Sequence, residues 1–351
     1  MPVQKISIDT FLSLRHEVTV LDVRSPSEFA HAHVPGAFSL PLFTDDERKE
    51  IGTSYKQVSR ESAIKIGLQA FGKNLVSLLE QAEGLLNTTK DPRRVIVHCW
   101  RGGMRSAAVA WLLDLYGFKV YVLEGGYKSF RKWALLQFEK KYNLQILGGC
   151  TGSNKTGIIH LANTQVPCID LEGLALHKGS AFGNLEQHPQ PSQEQFENTL
   201  ASELAAFLES NDPRPLLLEG ESQRIGAVNI PVAFFEQMRS APLLFLEVPF
   251  EVRLGHIVEG YGKHQKEQLI NAVVRIKKRL GGLEAKTCVN ALLEDDVETC
   301  FRVLLLYYDK LYLKHTLGKE AEPRIITYVK SDTVNASENF LKLQHDAGLR
   351  S

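Results

Sequence analysis

Long apolar runs are what this 351-residue sequence most plainly lacks. No stretch reaches the roughly 18 consecutive apolar residues that a membrane-spanning helix requires. The N-terminal "MPVQKISIDTFLSLRHEV" carries charges on both sides of a very short apolar stretch, which does not make a signal-peptide core. No membrane association and a cytoplasmic location are expected. Cysteine is scarce: five residues, at 99, 150, 168, 288 and 300, odd in number and without a CxxC pair. That argues against a disulfide framework and against a Cys-rich zinc site. Net charge is missing too, since 41 Lys and Arg balance 41 Asp and Glu, so no global field advertises nucleic acid as a partner. Local basic clusters remain at Arg131 and Lys132, at Lys140 and Lys141, and in "RIKKR" from Arg275 to Arg279. Such a run is most often a solvated helix face. The sequence has no internal repeat and no low-complexity segment.

What is present is an ordinary globular composition, 44% hydrophobic and 23% charged, with a length suited to about two domains. The first third alternates short apolar runs with helical patterns: "VTVLDV", "RVIVHC" and "KVYVLEGG" read as strands, and "SAAVAWLLDLYG" as a helix closed by Gly117. Alternation of this kind predicts a parallel sheet covered by helices. The charged "EKKYN" near residue 140 ends that block. A second α/β series follows in "LQIL", "VPCID", "PLLLEG" and "PLLFLEV", with the helical "SQEQFENTLASELAAFLE" among them. From about residue 265 the chain reads mainly as helix, with Leu269, Val273, Ile276 and Leu280 at core-face spacing. The expected fold is α/β in two domains, 10–136 and 137–351, the second with a mainly helical C-terminal part.

In "VIVHCWRGGMRSAAVAWLL" Cys99 ends a strand and precedes a helix. Loop amides and the positive end of the helix dipole then point toward the sulfur, and Gly102 and Gly103 let the backbone curl tightly. Arg101 and Arg105 are expected to lower the cysteine pKa further. Cys99 is therefore read as an anion-cradled nucleophile rather than a buried small hydrophobe, and His98 as a packed side chain. Five residues separate Cys99 from Arg105, a C-x5-R spacing whose ring of N–H donors suits a phosphate-sized anion. "ILGGCTGSNKTGIIHLA" is a second anion-binding candidate, a strand, glycine-rich turn and helix. Gly149, Lys155 and Thr156 take Walker A positions, with Thr151, Gly152 and Ser153 in the turn. Asn154 stands where the pattern wants glycine, and asparagine tolerates the left-handed backbone that position demands. Asp170 and Glu219 are open to a metal-binding, a capping or a salt-bridge role, and no metal site is assigned.

With "LDVRSPSEFAHAHVPGAFSLPL" upstream, the Cys99 loop resembles a rhodanese domain. The sequence also contains "IGTSYKQVSRESAIKIG" (51–67), "LEGGYKSFR" (123–131), "DLEGLALHKGSAFG" (170–183), "PQPSQ" (189–193), "EGESQRIG" (219–226) and "LLYYDKLY" (305–312). Together these segments resemble the bacterial tRNA 2-selenouridine synthase family, a rhodanese domain fused to a P-loop domain. The resemblance implies replacement of sulfur by selenium in 2-thiouridine at the tRNA wobble position, with selenophosphate and geranyl diphosphate as co-substrates and no tightly bound cofactor. It implies an S-selanylcysteine at Cys99, selenophosphate oxygens held by the loop amides and Arg105, and an S-geranyl intermediate whose thioether leaves C2 more readily than a thiocarbonyl sulfur. The turn from Gly149 to Thr156 is expected to cradle the geranyl diphosphate. By pattern alone "HKGSAFG" is as much a structural loop as a ligand site; the resemblance favours substrate contact by His177, Lys178 and Ser180. Residues near "YKSFRKW" and "RIKKR" are candidates to stack on bases and pair with phosphates of an anticodon loop. A C-x5-R phosphatase joined to a P-loop kinase is the competing enzyme reading, weakened by the lack of a candidate general acid. An inactive rhodanese module regulating a nucleotide-binding partner is the non-enzymatic one.

Overall fold

Short apolar runs alternating with helices build the first parallel sheet. In chain order the elements are β1 (Gln4–Ile6), α1 (Ile8–Leu14), β2 (Thr19–Asp22), α2 (Pro26–His31), β3 (Phe38–Ser39), α3 (Asp45–Gln57), α4 (Arg60–Leu86), β4 (Arg94–His98), α5 (Met104–Leu115), β5 (Lys119–Leu123) and α6 (Gly126–Gln137). The computed structural model describes residues 3–86, 93–177, 189–318 and 323–346. It divides into two units, Met1–Gln137 with Glu197–Ser202, and Phe138–Phe196 with Glu203–Ser351.

The first sheet has the order β1-β5-β4-β2-β3 and is parallel throughout. Val95, Ile96 and Val97 in its central strand are fully buried, as a strand covered on both faces must be, and this is why the segment reads as a continuous apolar run rather than an alternating one. Val97 packs with Leu21, Val109, Leu113 and Phe118 in the core of the unit. Asp22 pairs in register with His98, so the loops after β2 and β4 leave the same edge of the sheet, the carboxyl end where parallel α/β sheets place their ligands. Helix α2 starts where Pro26 occupies the first turn and the Ser25 N–H donates to Glu28 Oε2 at 3.1 Å.

The second unit runs β6 (Leu144–Gly149), α7 (Lys155–Ala162), β7 (Cys168–Ile169), α8 (Leu171–Ala175), α9 (Gln193–Ser210), β8 (Leu216–Glu219), the small hairpin β9 (Arg224–Ile225) and β10 (Val228–Asn229), α10 (Val232–Ser240) and β11 (Leu243–Glu247). It continues through α11 (Phe250–Tyr261), α12 (Lys266–Leu280), α13 (Gly282–Leu293), α14 (Val297–Leu317), β12 (Ile326–Lys330) and α15 (Ala336–Asp346). Its parallel sheet has the order β12-β11-β6-β8-β7, with Leu147, Ile158, Leu217, Leu246 and Phe340 in one core. Helices α11 to α14 share a second core in which Leu269, Val273 and Leu280 are buried and Ile276 packs against them half-buried.

The chain is thus α/β, with two parallel sheets and a helical C-terminal part. One element departs from the mainly helical reading of that part: β12 returns to the sheet and pairs in parallel with β11. Only Val329 in it is buried, because an edge strand exposes most of its side chains, and its short run "IITYV" lies within the stretch read as mainly helix. Among the described residues no helix is long and apolar enough to cross a membrane.

Candidate functional site

Two loops at the carboxyl ends of central strands hold the candidate site residues. In the first unit Cys99 follows β4 and is only 3% exposed. Helix α5 begins at Gly103 without a side-chain cap, so the amides of its first turn have no protein acceptor of that kind and the sulfur lies in their place. The Gly103 N–H donates to Sγ at 3.4 Å, and the Ser106 hydroxyl lies 3.3 Å from it. Burial opposes ionisation of the thiol, but the hydrogen bonds from Ser106 and from the amides of Arg101, Ser106 and Gly103 outweigh it, and the pKa falls below the ordinary thiol value. By contrast, burial pushes Cys150 up to about 11 and Cys168 up to about 12.

One expectation is corrected here. The guanidinium charges of Arg101 and Arg105 are not among the main causes that lower the Cys99 pKa. Arg105 is engaged by Glu28 on both guanidinium arms, at 2.6 and 3.3 Å, and a charge already neutralised by a carboxylate adds little to a neighbouring anion. Arg101 is exposed, where water screens it.

The loop is shaped from outside by the start of α6. The Tyr127 and Lys128 amides donate to Cys99 O at 2.8 Å and to Trp100 O at 3.0 Å. With these carbonyls turned outward, the amides are left facing the sulfur. The approach is close enough to require glycine on both sides. A Cβ on Gly126, at φ +59°, would lie 2.3 Å from Cys99 O, and one on Gly102, at φ +65°, would lie 2.7 Å from Leu123 O. Beneath the loop, buried Arg24 donates to Asp22 at 2.6 Å and to Ala32 O at 2.6 Å, with its guanidinium 3.9 Å from the centre of the Tyr127 ring. His98 is fully buried 3.9 Å from Asp22; burial holds its pKa down, and it is packed under the loop rather than presented to a ligand.

In the second unit the turn between β6 and α7 adopts a phosphate-loop path. Asn154 takes φ 61° and ψ 39°, the left-handed conformation that glycine usually supplies there, and its Nδ2 donates to Val334 O at 2.9 Å. Gly149 and Gly152 have φ +150° and +84°. The Thr151 carbonyl accepts from Arg253, which is held bidentately by Asp309 at 3.0 and 2.7 Å. Lys155 Nζ donates to Gly149 O at 2.9 Å and lies 5.6 Å from the centre of the Tyr312 ring, while Tyr312 Oη accepts from the Gly149 N–H at 3.1 Å. The Ser153 hydroxyl is buried in the turn with no hydrogen-bond partner among the described residues.

Carboxylates gather around this lysine. Thr156 donates to Glu172 at 2.9 Å. Asp170 caps α8 through the Gly173 amide and accepts from His160 at 2.7 Å. Glu219, at the end of β8, is fully buried and neither of its oxygens has a hydrogen-bond partner among the described residues. Burial, then the nearby Glu172, Glu221 and Asp170, push its carboxyl well above the usual range. For the same reasons Glu221 rises to about 7. Burial would deprotonate Lys155, but Tyr312, Glu221, Glu172 and Glu219 hold it charged. Among the described residues no group of three or more His, Cys, Asp or Glu side chains is arranged around a common metal position.

His177 is nearly buried, its Nδ1 without a hydrogen-bond partner among the described residues, and burial holds its pKa down. Lys178 and Ser180 lie outside the described residues. Sequence reasoning passed over Ser106, Gly126, Glu28, Glu172, Glu221, Arg253, Asp309 and Tyr312 as site residues. "LEGGYKSFR", "EGESQRIG" and "LLYYDKLY" contain Gly126, Glu221, Asp309 and Tyr312, so the signal lay in segments read only as resemblance.

Comparison with known proteins agrees with this division. Residues 142–342 match the family described as the tRNA 2-selenouridine synthase AAA domain, and residues 7–132 match the rhodanese-like domain. A tRNA 2-selenouridine synthase of Nitrosomonas europaea is 36% identical over 249 residues, 70% of this chain and 64% of that protein. One from Nitrosomonas eutropha is 31% identical over 330 residues, 93% of this chain and 81% of the relative. Another, from Bdellovibrio bacteriovorus, is 31% identical over 386 residues, covering 97% of this chain and 99% of the relative. With a matched segment in each unit and relatives aligned along nearly its whole length, the chain belongs to the tRNA 2-selenouridine synthase family.

Proposed function

We propose that this protein incorporates selenium into tRNA, replacing the sulfur of 2-thiouridine at the wobble position, with selenophosphate as the donor and geranyl diphosphate as the alkylating co-substrate. The observation that carries the reading is the Cys99 loop: a thiol with a lowered pKa, facing the amides of Arg101, Gly103 and Ser106, at the uncapped start of a helix. Those amides accommodate an oxyanion next to a nucleophilic sulfur. The Cys99 thiolate attacks the phosphorus of selenophosphate, the P–Se bond breaks with its electron pair on selenium, hydrogen selenide is released beside the loop, and water then hydrolyses the S–P bond. The loop amides hold the phosphate oxygens of the donor, and Arg105, oriented by Glu28, presents its remaining N–H donors to them.

The turn in the second unit suits the diphosphate. Lys155 is kept charged, the Ser153 hydroxyl is buried without an acceptor among the described residues, and the α7 N-terminus opens at Asn154. In geranylation the sulfur of 2-thiouridine forms a bond to the geranyl C1 while the C1–O bond breaks, and diphosphate leaves with the electron pair. Lys155 and the turn amides offset the charge gathering on the leaving oxygens. In the second step the hydrogen selenide freed at Cys99 adds at C2 of the base, the C2–S bond breaks, geranylthiolate leaves with its electron pair, and the Se–H proton is lost to solvent.

The test is direct. Protein is incubated with 2-thiouridine-containing tRNA, selenophosphate and geranyl diphosphate, and the nucleosides are analysed by mass spectrometry. Conversion to 2-selenouridine that is abolished by Cys99→Ala supports the reading. Absence of conversion by folded wild-type protein, or full conversion by the variant, refutes it.

A further inference from the structure

We propose that the tip of the α12–α13 hairpin is a docking surface for the phosphate backbone of tRNA. The inference rests on the reading of tRNA as substrate and adds where its backbone is held.

Within residues 275–286 five side chains are cationic, Arg275, Lys277, Lys278, Arg279 and Lys286, against one carboxylate, Glu284. All five cations are exposed, and none has an ion pair or side-chain hydrogen bond among the described residues. Some surface cations elsewhere are held in ion pairs. Lys266, at the opposite end of α12, lies 2.7 Å from Asp295, Arg302 bridges Glu251 and Glu298, and Arg131 pairs with Glu197. Of the basic clusters in the sequence, Arg131 is paired with Glu197, Lys132, Lys140 and Lys141 are exposed without an ion pair among the described residues, and "RIKKR" gathers the most unpaired charge in one place. Helix-end electrostatics explain part of the patch, because Lys277, Lys278 and Arg279 occupy the last turn of α12 and complement its dipole. Lys286 lies toward the start of α13, where a cation gains nothing from the dipole. A locally positive surface on a chain of zero net charge is the footprint expected of a polyanion site.

Its position supplies the second observation. Gly281, at φ +111°, alone separates α12 from α13, so the patch lies at a sharp hairpin tip, with Leu283 75% exposed beside it. Helices α13 and α14 pack together after a three-residue connection, and Cys288 Sγ donates to Cys300 O at 3.6 Å. In this antiparallel pair Gly282 is level with Leu306. Asp309 and Tyr312 follow only about 4.5 and 9 Å further along α14 at 1.5 Å per residue. Asp309 holds Arg253 on the Thr151 carbonyl, and Tyr312 accepts from the Gly149 amide. The cationic tip is therefore at the same end of the bundle as the phosphate-binding turn, where a tRNA held by its backbone is within reach of the diphosphate chemistry.

The experiment measures binding of 2-thiouridine-containing tRNA by fluorescence anisotropy across a range of KCl concentrations. It uses the full chain, a variant with Arg275→Gln, Lys277→Gln, Lys278→Gln and Arg279→Gln, and a control with Lys140→Gln and Lys141→Gln. Each lost phosphate contact lowers the slope of log K against log salt by about 0.7–0.9. The quadruple variant is expected to lose roughly 3 from that slope and to bind at least about tenfold more weakly at low salt, with thermal unfolding close to wild type and the control unchanged. An unaltered slope in a folded quadruple variant overturns the docking surface while leaving the substrate reading intact, and binding of an acidic protein that these substitutions abolish while tRNA binding persists overturns it in favour of a protein partner. A wild-type chain that binds no tRNA overturns both.

Discussion

At the scale of single residues, Cys99 differs from the other thiols of the two loops through its hydrogen-bond donors. The Ser106 hydroxyl is within reach of two acceptors, Gly103 O at 3.0 Å and the Cys99 sulfur at 3.3 Å, and toward the thiolate it is the donor. Burial alone raises a thiol pKa, and removing Ser106 takes away the strongest group opposing burial. Ser106→Ala is therefore expected to raise the Cys99 pKa. The thiolate fraction grows as pH rises through the folded pKa, so the variant's alkylation curve with iodoacetamide shifts to higher pH and its rate at neutral pH falls several-fold. A curve superimposable on wild type would show that the amides alone set the pKa.

At the scale of elements, each loop is held by a helix that is distant in sequence. The start of α6 grips Cys99 O and Trp100 O, and α14 reaches the phosphate turn through Tyr312 and Asp309. The first contact is tight enough for a substitution to report on it. Gly126→Ala places a methyl 2.3 Å from Cys99 O at a left-handed backbone angle, which itself costs about 1–2 kcal/mol outside glycine. The Cys99 carbonyl then gives way and the ring of amides opens. Selenation by this variant should fall more than tenfold, read by nucleoside mass spectrometry, while circular dichroism still shows a folded protein. Asn154 shows the opposite tolerance. It adopts the left-handed angle itself and anchors the turn through Val334 O, so the departure from the glycine pattern leaves the path of the loop intact.

At the scale of the molecule, two α/β units each carry one anion-binding loop, and the proposed chemistry divides between them. Lys155→Ala is expected to lose geranylation of 2-thiouridine tRNA at limiting geranyl diphosphate. Supplied with tRNA already bearing S-geranyl-2-thiouridine, the same variant should still produce 2-selenouridine. Cys99→Ala should show the reverse, accumulating the geranylated nucleoside without selenium. Identical defects in both half-reactions for both variants would mean that the two loops serve one step.

Much of this organisation was legible in the chain because it is written in short-range pattern. Parallel strands buried on both faces appear as apolar runs such as "VIV", glycines mark the two anion-binding turns, and apolar spacing marks the buried face of α12. Strand β12 escaped because an edge strand buries little, and Lys178 and Ser180 fall outside the described residues. The sequence by itself determined the α/β class and marked the thiol at the end of β4 and the glycine-rich turn after β6 as the candidate sites, since each depends on residues within about one turn of the motif. Only the tertiary structure decided that Arg105 is tied to Glu28, 77 residues away, that Tyr312 meets Gly149 across 163 residues, and that Glu219 is buried with no hydrogen-bond partner among the described residues. Those relations depend on which elements pack together, and packing is settled by the summed burial of whole helices and strands rather than by any local spacing.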